Sequence, residues 1–286
     1  MVMMNIALNW VQAGLSGVYI SLELSEELTS LRTDAMLTQM STRDIRKDID
    51  TTELRVKMAG KKAGKYRVKG MPAQSNVNDI RSYLKEVQIQ TGMRVDFVMI
   101  DYLDLVMPVS VKVNPNDQFI KDKYVSEELR NLAKELGILM VTASQLNRTA
   151  VDEIEFDHSH IAGGISKINT ADNVFGIFTS RSMRERGQYQ IQCMKSRSST
   201  GVGQKIDLDY NVETMRISDS DPDGYADQQS KFKPSPSPND IMSQLKPQSN
   251  IVVDQETGEI LQPSTKNVVA EVHGSKLKTL LNSLKK

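Results

Sequence analysis

Val95-Asp-Phe-Val-Met-Ile-Asp-Tyr-Leu-Asp-Leu105 is an apolar run that delivers a carboxylate, Asp101, at its end. A nearly continuous apolar run predicts a strand covered on both faces, as in an open parallel α/β sheet. Ligands of nucleotide-binding sheets gather outside the carboxyl ends of the strands, where an Asp can hold Mg²⁺ through water. This is the pattern of a Walker B strand. The plain alternative is an ordinary strand ending in a solvated Asp. Asp96 and Asp104 read as surface or loop residues.

On either side of this run, from Val18 to about Tyr210, strand-like runs alternate with amphipathic helical segments, the signature of a parallel α/β sheet. Val18-Tyr-Ile-Ser-Leu22 precedes a helix with Ser25 as N-cap, Glu26 and Glu27 in the first turn, and Leu28, Leu31, Ala35 and Met36 on one face. A second helix starts near Asn76 and carries Ile80, Tyr83, Leu84 and Val87. Ile138-Leu-Met-Val-Thr-Ala143 reads as another central strand, preceded by a helix over residues 124–136 with Val125, Leu129, Leu132, Ala133 and Leu136 inward. The first residues already read as helix, with Met3, Ile6, Ala7, Trp10 and Val11 spaced on one face. An ATP-binding α/β domain usually has a strand and a glycine-rich phosphate loop before this helix, and no such loop stands before it here. Gly60-Lys-Lys-Ala-Gly-Lys-Tyr66 is no substitute, because its glycines are too close and Tyr66 stands where a Ser or Thr hydroxyl is needed.

A chain of 286 residues, 39% hydrophobic, can bury one substantial core. Zero net charge means that any DNA-binding surface must be a local patch. The single Cys193 excludes an internal disulfide framework and fits a reducing cytoplasm. With no apolar stretch near eighteen residues and no signal peptide, a cytoplasmic location is expected. After about Ser218, Ser218-Asp-Ser-Asp-Pro-Asp-Gly224 and Lys233-Pro-Ser-Pro-Ser-Pro-Asn239 are too polar and proline-rich to order on their own. The expected organisation is therefore a domain over residues 1–217 and a mostly disordered tail over 218–286. A short hairpin at 252–261 and an amphipathic helix at 276–285 are the expected islands in that tail.

Two further strand ends carry polar groups. Glu23, after the Val18 strand, suits a general base that deprotonates an attacking water, or is simply an acid ahead of a helix cap. Gln145, in Thr142-Ala-Ser-Gln-Leu-Asn-Arg148, suits a γ-phosphate sensor. Lys195 and Arg197 stand two apart at the close of another strand, so they share a face and can reach one anion, as an arginine finger and a helping lysine would. A KxR in a turn is otherwise solvated charge. In Ile161-Ala-Gly-Gly-Ile-Ser-Lys-Ile-Asn169, flexible Gly163 and Gly164 beside Lys167 suit close approach to nucleic acid phosphates. Lys112, Lys121 and Lys123 read as a loop that grips backbone rather than bases. His158 and His160 near Asp157 lack a third ligand at sensible spacing for a metal.

The ordered series SLEL with Glu23, VMIDYLDL with Asp101, LAKELGI, TASQLNR with Gln145, ADNVFGIF at residues 171–178, and KSR at 195–197 resembles the DnaB-type replicative helicases, most closely their phage-encoded branch. The likeness covers roughly residues 1–217. It implies a RecA-like P-loop NTPase core with a mainly parallel sheet, using ATP and Mg²⁺, in a homohexameric ring that moves 5′ to 3′ on single-stranded DNA. By the same resemblance Glu23 is the catalytic base, Asp101 the Mg²⁺-associated carboxylate, and Gln145 the sensor. Lys195 and Arg197 reach a neighbour's ATP, and Gly163, Gly164 and Lys167 face DNA. Primase and a helicase loader are the implied partners. The family's loop ending in Gly-Lys-Ser/Thr is missing, so the expectation is a C-terminal fragment, cut before or at Walker A, that binds ATP poorly alone. A non-hydrolysing RecA-like DNA-binding or accessory module is the alternative function, and a nonfunctional truncation the third.

Overall fold

A computed structural model describes residues 1–113, 117–145 and 165–220. Four strands, β1 (Gly17–Ser21), β2 (Tyr66–Gly70), β3 (Phe97–Asp101) and β4 (Leu139–Thr142), form a parallel sheet in the order β2-β1-β3-β4. Alternation within β1 and β3 divides the core into two. Val18, Ile20, Val98 and Ile100 face α5 (Val77–Thr91) and α6 (Gln118–Leu136), packing on Ile80, Leu84, Leu129 and Leu132. Tyr19, Phe97 and Met99 face the other way, onto α1 (Val2–Gln12) and Met36 of α2 (Glu26–Thr38). Trp10 meets Phe97 edge-on, with ring centroids 5.1 Å apart. The Phe97 ring also lies over Gly17, where any Cβ would come within 2.2 Å of it.

The helices follow their sequence signals with informative shifts. Asn76 caps α5 in a full capping box with Asp79, and Ser25 caps α2 by accepting from the Leu28 amide at 3.2 Å. Helix α2 buries Thr29, Thr33, Ala35 and Met36, while Leu28 and Leu31 stay half-buried. The Thr33 hydroxyl can be buried because it donates to the Thr29 carbonyl at 2.9 Å. Helix α1 turns Met4, Ala7, Leu8 and Val11 inward, with Met3, Ile6 and Trp10 packed at the margin. A helix apolar on nearly every side leaves its inner face to tertiary packing. Helices α3 (Thr42–Lys47) and α4 (Ile49–Gly60) complete the crossover from α2 to β2.

Three expectations are corrected. Strand β4 is not central: it pairs only with β3 among the described residues, and Leu139 is 52% exposed. Helix α6 starts at Gln118, capped by Asp117, so Lys121 and Lys123 stand on a helix rather than in a loop. The parallel pattern does not continue to Tyr210. After α7 (Ile165–Thr170), β5 (Asn173–Phe178), β6 (Gln188–Ser196), β7 (Lys205–Tyr210) and β8 (Ile217–Asp219) form an antiparallel sheet. Their connections, residues 179–187 with the short α8 (Arg181–Glu185), 197–204 and 211–216, are too short for parallel crossovers, which need roughly a dozen residues or more.

Strand β8 runs past the expected domain boundary at residue 217. It is stitched to α1 by buried Asn5, whose Nδ2 donates to the Met215 carbonyl and whose Oδ1 accepts from the Ile217 amide, both at 3.0 Å. Asn5→Leu strands both backbone groups, and at about 1–3 kcal/mol per unsatisfied buried group it is expected to destabilise the fold by about 2–4 kcal/mol in urea unfolding. A loss below about 0.5 kcal/mol would mean that water takes over both groups. Residues 221–286 of the tail, with its expected hairpin and helix islands, residues 146–164 with Gly163, Gly164, Asp157, His158 and His160, and residues 114–116 all lie outside the described residues. Among the described residues, no helix is long and apolar enough to cross a membrane.

Candidate nucleotide site at the strand ends

Register places the expected site residues along one edge of the parallel sheet. Ser21 pairs with Asp101 and Ile100 with Thr142, so β1, β3 and β4 end side by side. The Leu22 amide donates to the Asp101 carbonyl at 2.8 Å and the Leu103 amide to the Ala143 carbonyl at 3.2 Å. Glu23, Asp101 and Gln145 thus emerge from three neighbouring strand ends. Glu23 and Gln145 are exposed and Asp101 is half-buried.

Two tyrosines that the sequence did not single out organise this edge. The Tyr19 hydroxyl donates to Asp101 Oδ2 at 2.6 Å. Burial, reinforced by the Asp101 charge, pushes the Tyr19 phenol far above its ordinary value, so it stays a donor. Gln145 Nε2 donates to the Tyr102 hydroxyl at 3.0 Å. The Tyr102 phenol is also raised, first by burial and then by the charges of Glu23, Asp104 and Asp101. The start of α1 lies at the same edge. Burial lowers the Met1 ammonium, and the Asp101 charge partly offsets that lowering.

Asp104 is not a surface residue. Its side chain is 9% exposed and forms an ion pair with Lys167, while Oδ2 accepts from the Gln145 amide at 3.2 Å. Lys167, expected on a DNA-facing loop, sits on α7 with 7% exposure, and its ammonium also lies 2.7 Å from Asp122 Oδ2. Two carboxylates hold this ammonium away from solvent, so it is not presented to a phosphate backbone. Asp96 is likewise engaged, with Oδ2 accepting from the Ser16 amide at 2.9 Å.

Lys195, near the end of β6, and Arg197, just past it, share one acceptor. Both donate to the Asn169 carbonyl, at 3.3 and 2.7 Å, and Lys195 also reaches the Ile168 carbonyl at 2.5 Å. These are the last carbonyls of α7, where cations are favourable. Asp172 completes the cluster, bound by both Nη atoms of Arg130 and by Arg197 Nη1, each contact at 2.9 Å. Burial lowers the Lys195 ammonium, and the nearby Arg197 charge adds to this.

The Arg130 hydrogen bond, with the Arg197 charge behind it, holds the Asp172 carboxyl below its ordinary value of 3.8. A carboxyl held low stabilises the fold above its unfolded value and loses that contribution as pH falls through the lower folded one. The Arg197 guanidinium NMR signals are therefore expected to stay constant down to about pH 5 and to move only below about pH 4. Movement near pH 6 would mean that a histidine-range group governs the contact.

Donor chemistry at Asp101 suits Mg²⁺, which keeps most of its waters and takes one or two carboxylates beside phosphate oxygens. Tyr19 occupies one Asp101 oxygen, and the other has no hydrogen-bond partner among the described residues. No group of three or more His, Cys, Asp or Glu that could cage a metal occurs among the described residues.

The DnaB-like helicase C terminal domain family matches residues 1–219. The chain belongs to that family. A DnaB-like replicative helicase of Enterobacteria phage T4 is 28% identical over 199 residues, covering 68% of this chain and 42% of that protein. The replicative DNA helicase DnaB of Mycoplasma pneumoniae is 25% identical over 164 residues, covering 52% of this chain and 34% of that protein. The chain therefore spans less than half the length of either relative. Two solved structures share the fold at 19% identity. One is a DnaB-like replicative helicase described with its primase interactions (TM-score 0.63, 77% of this chain and 54% of that one), and the other is an isolated ATPase domain (TM-score 0.61, 76% and 80%).

Within this DnaB-like domain the strand-end residues were legible because each closes an apolar run. Tyr19, Tyr102, Asp104, Asp122, Arg130 and Asp172 were missed. Only Tyr102 and Asp104 carried a signal, as polar groups inside the otherwise apolar stretch after Asp101. The others are recruited across the fold.

Proposed function

We propose that this chain is the ATPase portion of a replicative DNA helicase motor that hydrolyses ATP while translocating 5′ to 3′ on single-stranded DNA and unwinding duplex as a homohexameric ring. The observation that carries the reading is the row of Glu23, Asp101 and Gln145 at three adjacent parallel strand ends. Glu23, exposed and free to approach solvent, accepts the proton of the attacking water. Asp101, steadied by Tyr19, holds Mg²⁺ through water; the cation supplies charge stabilisation to the phosphoryl oxygens. Gln145 hydrogen-bonds the γ-phosphate and is braced by Tyr102 and Asp104. Lys195 and Arg197 serve the ATP of a neighbouring subunit, which is why a ring is required. Gly163 and Gly164 are the proposed DNA contacts. Primase, a loader and a cytoplasmic setting, that of the host if phage-encoded, follow from the same reading; the primase interactions described for the neighbouring helicase structure support it.

A non-hydrolysing DNA-binding or accessory module is the competing reading. ATP hydrolysis with and without single-stranded DNA separates the two. It is measured for the chain alone and for the chain with a strand and GxxxxGKS/T loop placed directly before Met1. DNA-stimulated turnover in the second protein, lost in Asp101→Asn, is the expected result. DNA binding in both proteins with turnover in neither sinks the motor reading.

A further inference from the structure

Four charged groups meet beneath the strand-end row, and the proposed hydrolysis uses only Asp104 of them, as a brace on Gln145. Lys167 pairs with Asp104 and with Asp122, whose side chain is wholly buried, and Lys121 lies 3.7 Å from Asp122 Oδ1. Two ammonium groups thus balance two carboxylates. Burial pushes the Asp122 carboxyl up, and the adjacent Lys167 ammonium opposes that shift. Charges out of water persist only when each is paired, so removing one partner leaves another uncompensated.

The cluster touches both halves of the site. On one side Asp104 Oδ2 accepts from the Gln145 amide at 3.2 Å and from Ser144 Oγ at 3.3 Å, and Lys167 Nζ donates to Ser144 Oγ at 2.8 Å. On the other side Lys167 belongs to α7, whose next carbonyls are held by the finger cations: Ile168 by Lys195, Asn169 by Lys195 and Arg197. Arg130 takes the following one, Thr170, at 2.7 Å. A six-residue helix is a short, stiff strut.

We propose that Asp104, Lys167 and Asp122 are positioning residues that tie the placement of Gln145 to the placement of Lys195 and Arg197 through α7. The functional meaning of this link rests on the ATP-site reading given above; the mechanical link does not. A movement of Gln145 at one strand edge is carried by Asp104 and Lys167 to the carbonyls that hold the finger pair, so a subunit's own site and the cations it offers a neighbour shift together.

Hydrogen exchange of the full chain, read amide by amide in Lys167→Met, tests the link. Expected is acceleration of at least about fivefold at two amides together: Gln145, held by Asp104, and Arg197, which donates to the Asp172 carbonyl at 3.0 Å. The Ile20 and Ile100 amides at the sheet centre keep their rates. Acceleration at Gln145 with Arg197 unchanged overturns the proposal. If Lys167→Met unfolds the chain, Asp104→Asn/Lys167→Met restores the charge balance and the same two amides decide. ATP turnover of the chain carrying the added strand and GxxxxGKS/T loop is the second readout, with kcat expected to fall about tenfold in Lys167→Met and KM to stay within about twofold. Equal loss in kcat and rise in KM overturns a positioning role. Paired loosening in a protein that turns over no ATP at all supports the link and sinks the ATP-site reading.

Discussion

Arg197→Ala is expected to remove DNA-stimulated ATP turnover, by about 10³–10⁵-fold in kcat, the range an arginine finger supplies to phosphoryl transfer. ATP binding should change little, because in the proposed ring the guanidinium is offered to a neighbour rather than to the chain's own nucleotide. The same substitution removes one cation from Asp172 and one donor from the Asn169 carbonyl, but Arg197 is 47% and Asp172 57% exposed, so the loss of folding stability should stay within the ~1 kcal/mol of a surface pair. Arg130 still holds Asp172 from the other side. Arg197→Lys is the informative companion: it keeps the charge and loses the planar fork, and recovery above about a tenth of wild-type turnover would show that charge alone suffices. Equal losses of binding and turnover in Arg197→Ala would count against a role in trans.

The second large effect is expected at Glu23. Glu23→Gln preserves shape and hydrogen bonding while removing the proton acceptor, and general-base contributions are typically about 10²–10⁴-fold. Nucleotide and DNA binding should survive, since Glu23 is exposed and lies past the end of β1 without core contacts. Single-turnover chemistry is the measurement. A loss below about fivefold would return Glu23 to being an acid ahead of the Ser25 cap.

How much of this was legible in sequence depended on range. The apolar run around Val98 announced a central strand because full burial on both faces leaves no polar alternation to misread, and the Ser25 and Asn76 caps were readable because capping is local chemistry. The same rule failed for β4, whose apolar run is not matched by burial: Leu139 stays exposed at a sheet edge. The switch from parallel to antiparallel pairing after α7 was encoded only in connection length, a weaker signal than strand periodicity. Lys167 was read by its neighbours Gly163 and Gly164 as a flexible cation. Its actual partners, Asp104 and Asp122, are 63 and 45 positions away, and no local pattern reports such a pairing.

Asn5 joins the second turn of the first helix to a backbone 210 residues later. The head and the tail of the matched domain are therefore one cooperative element. Fraying of β8 strips α1 of its partner, and α1 packs with Tyr19, the residue that donates to Asp101. Loss of order at the far end of the domain is thereby felt directly at the nucleotide edge, and the two should melt as a single unit.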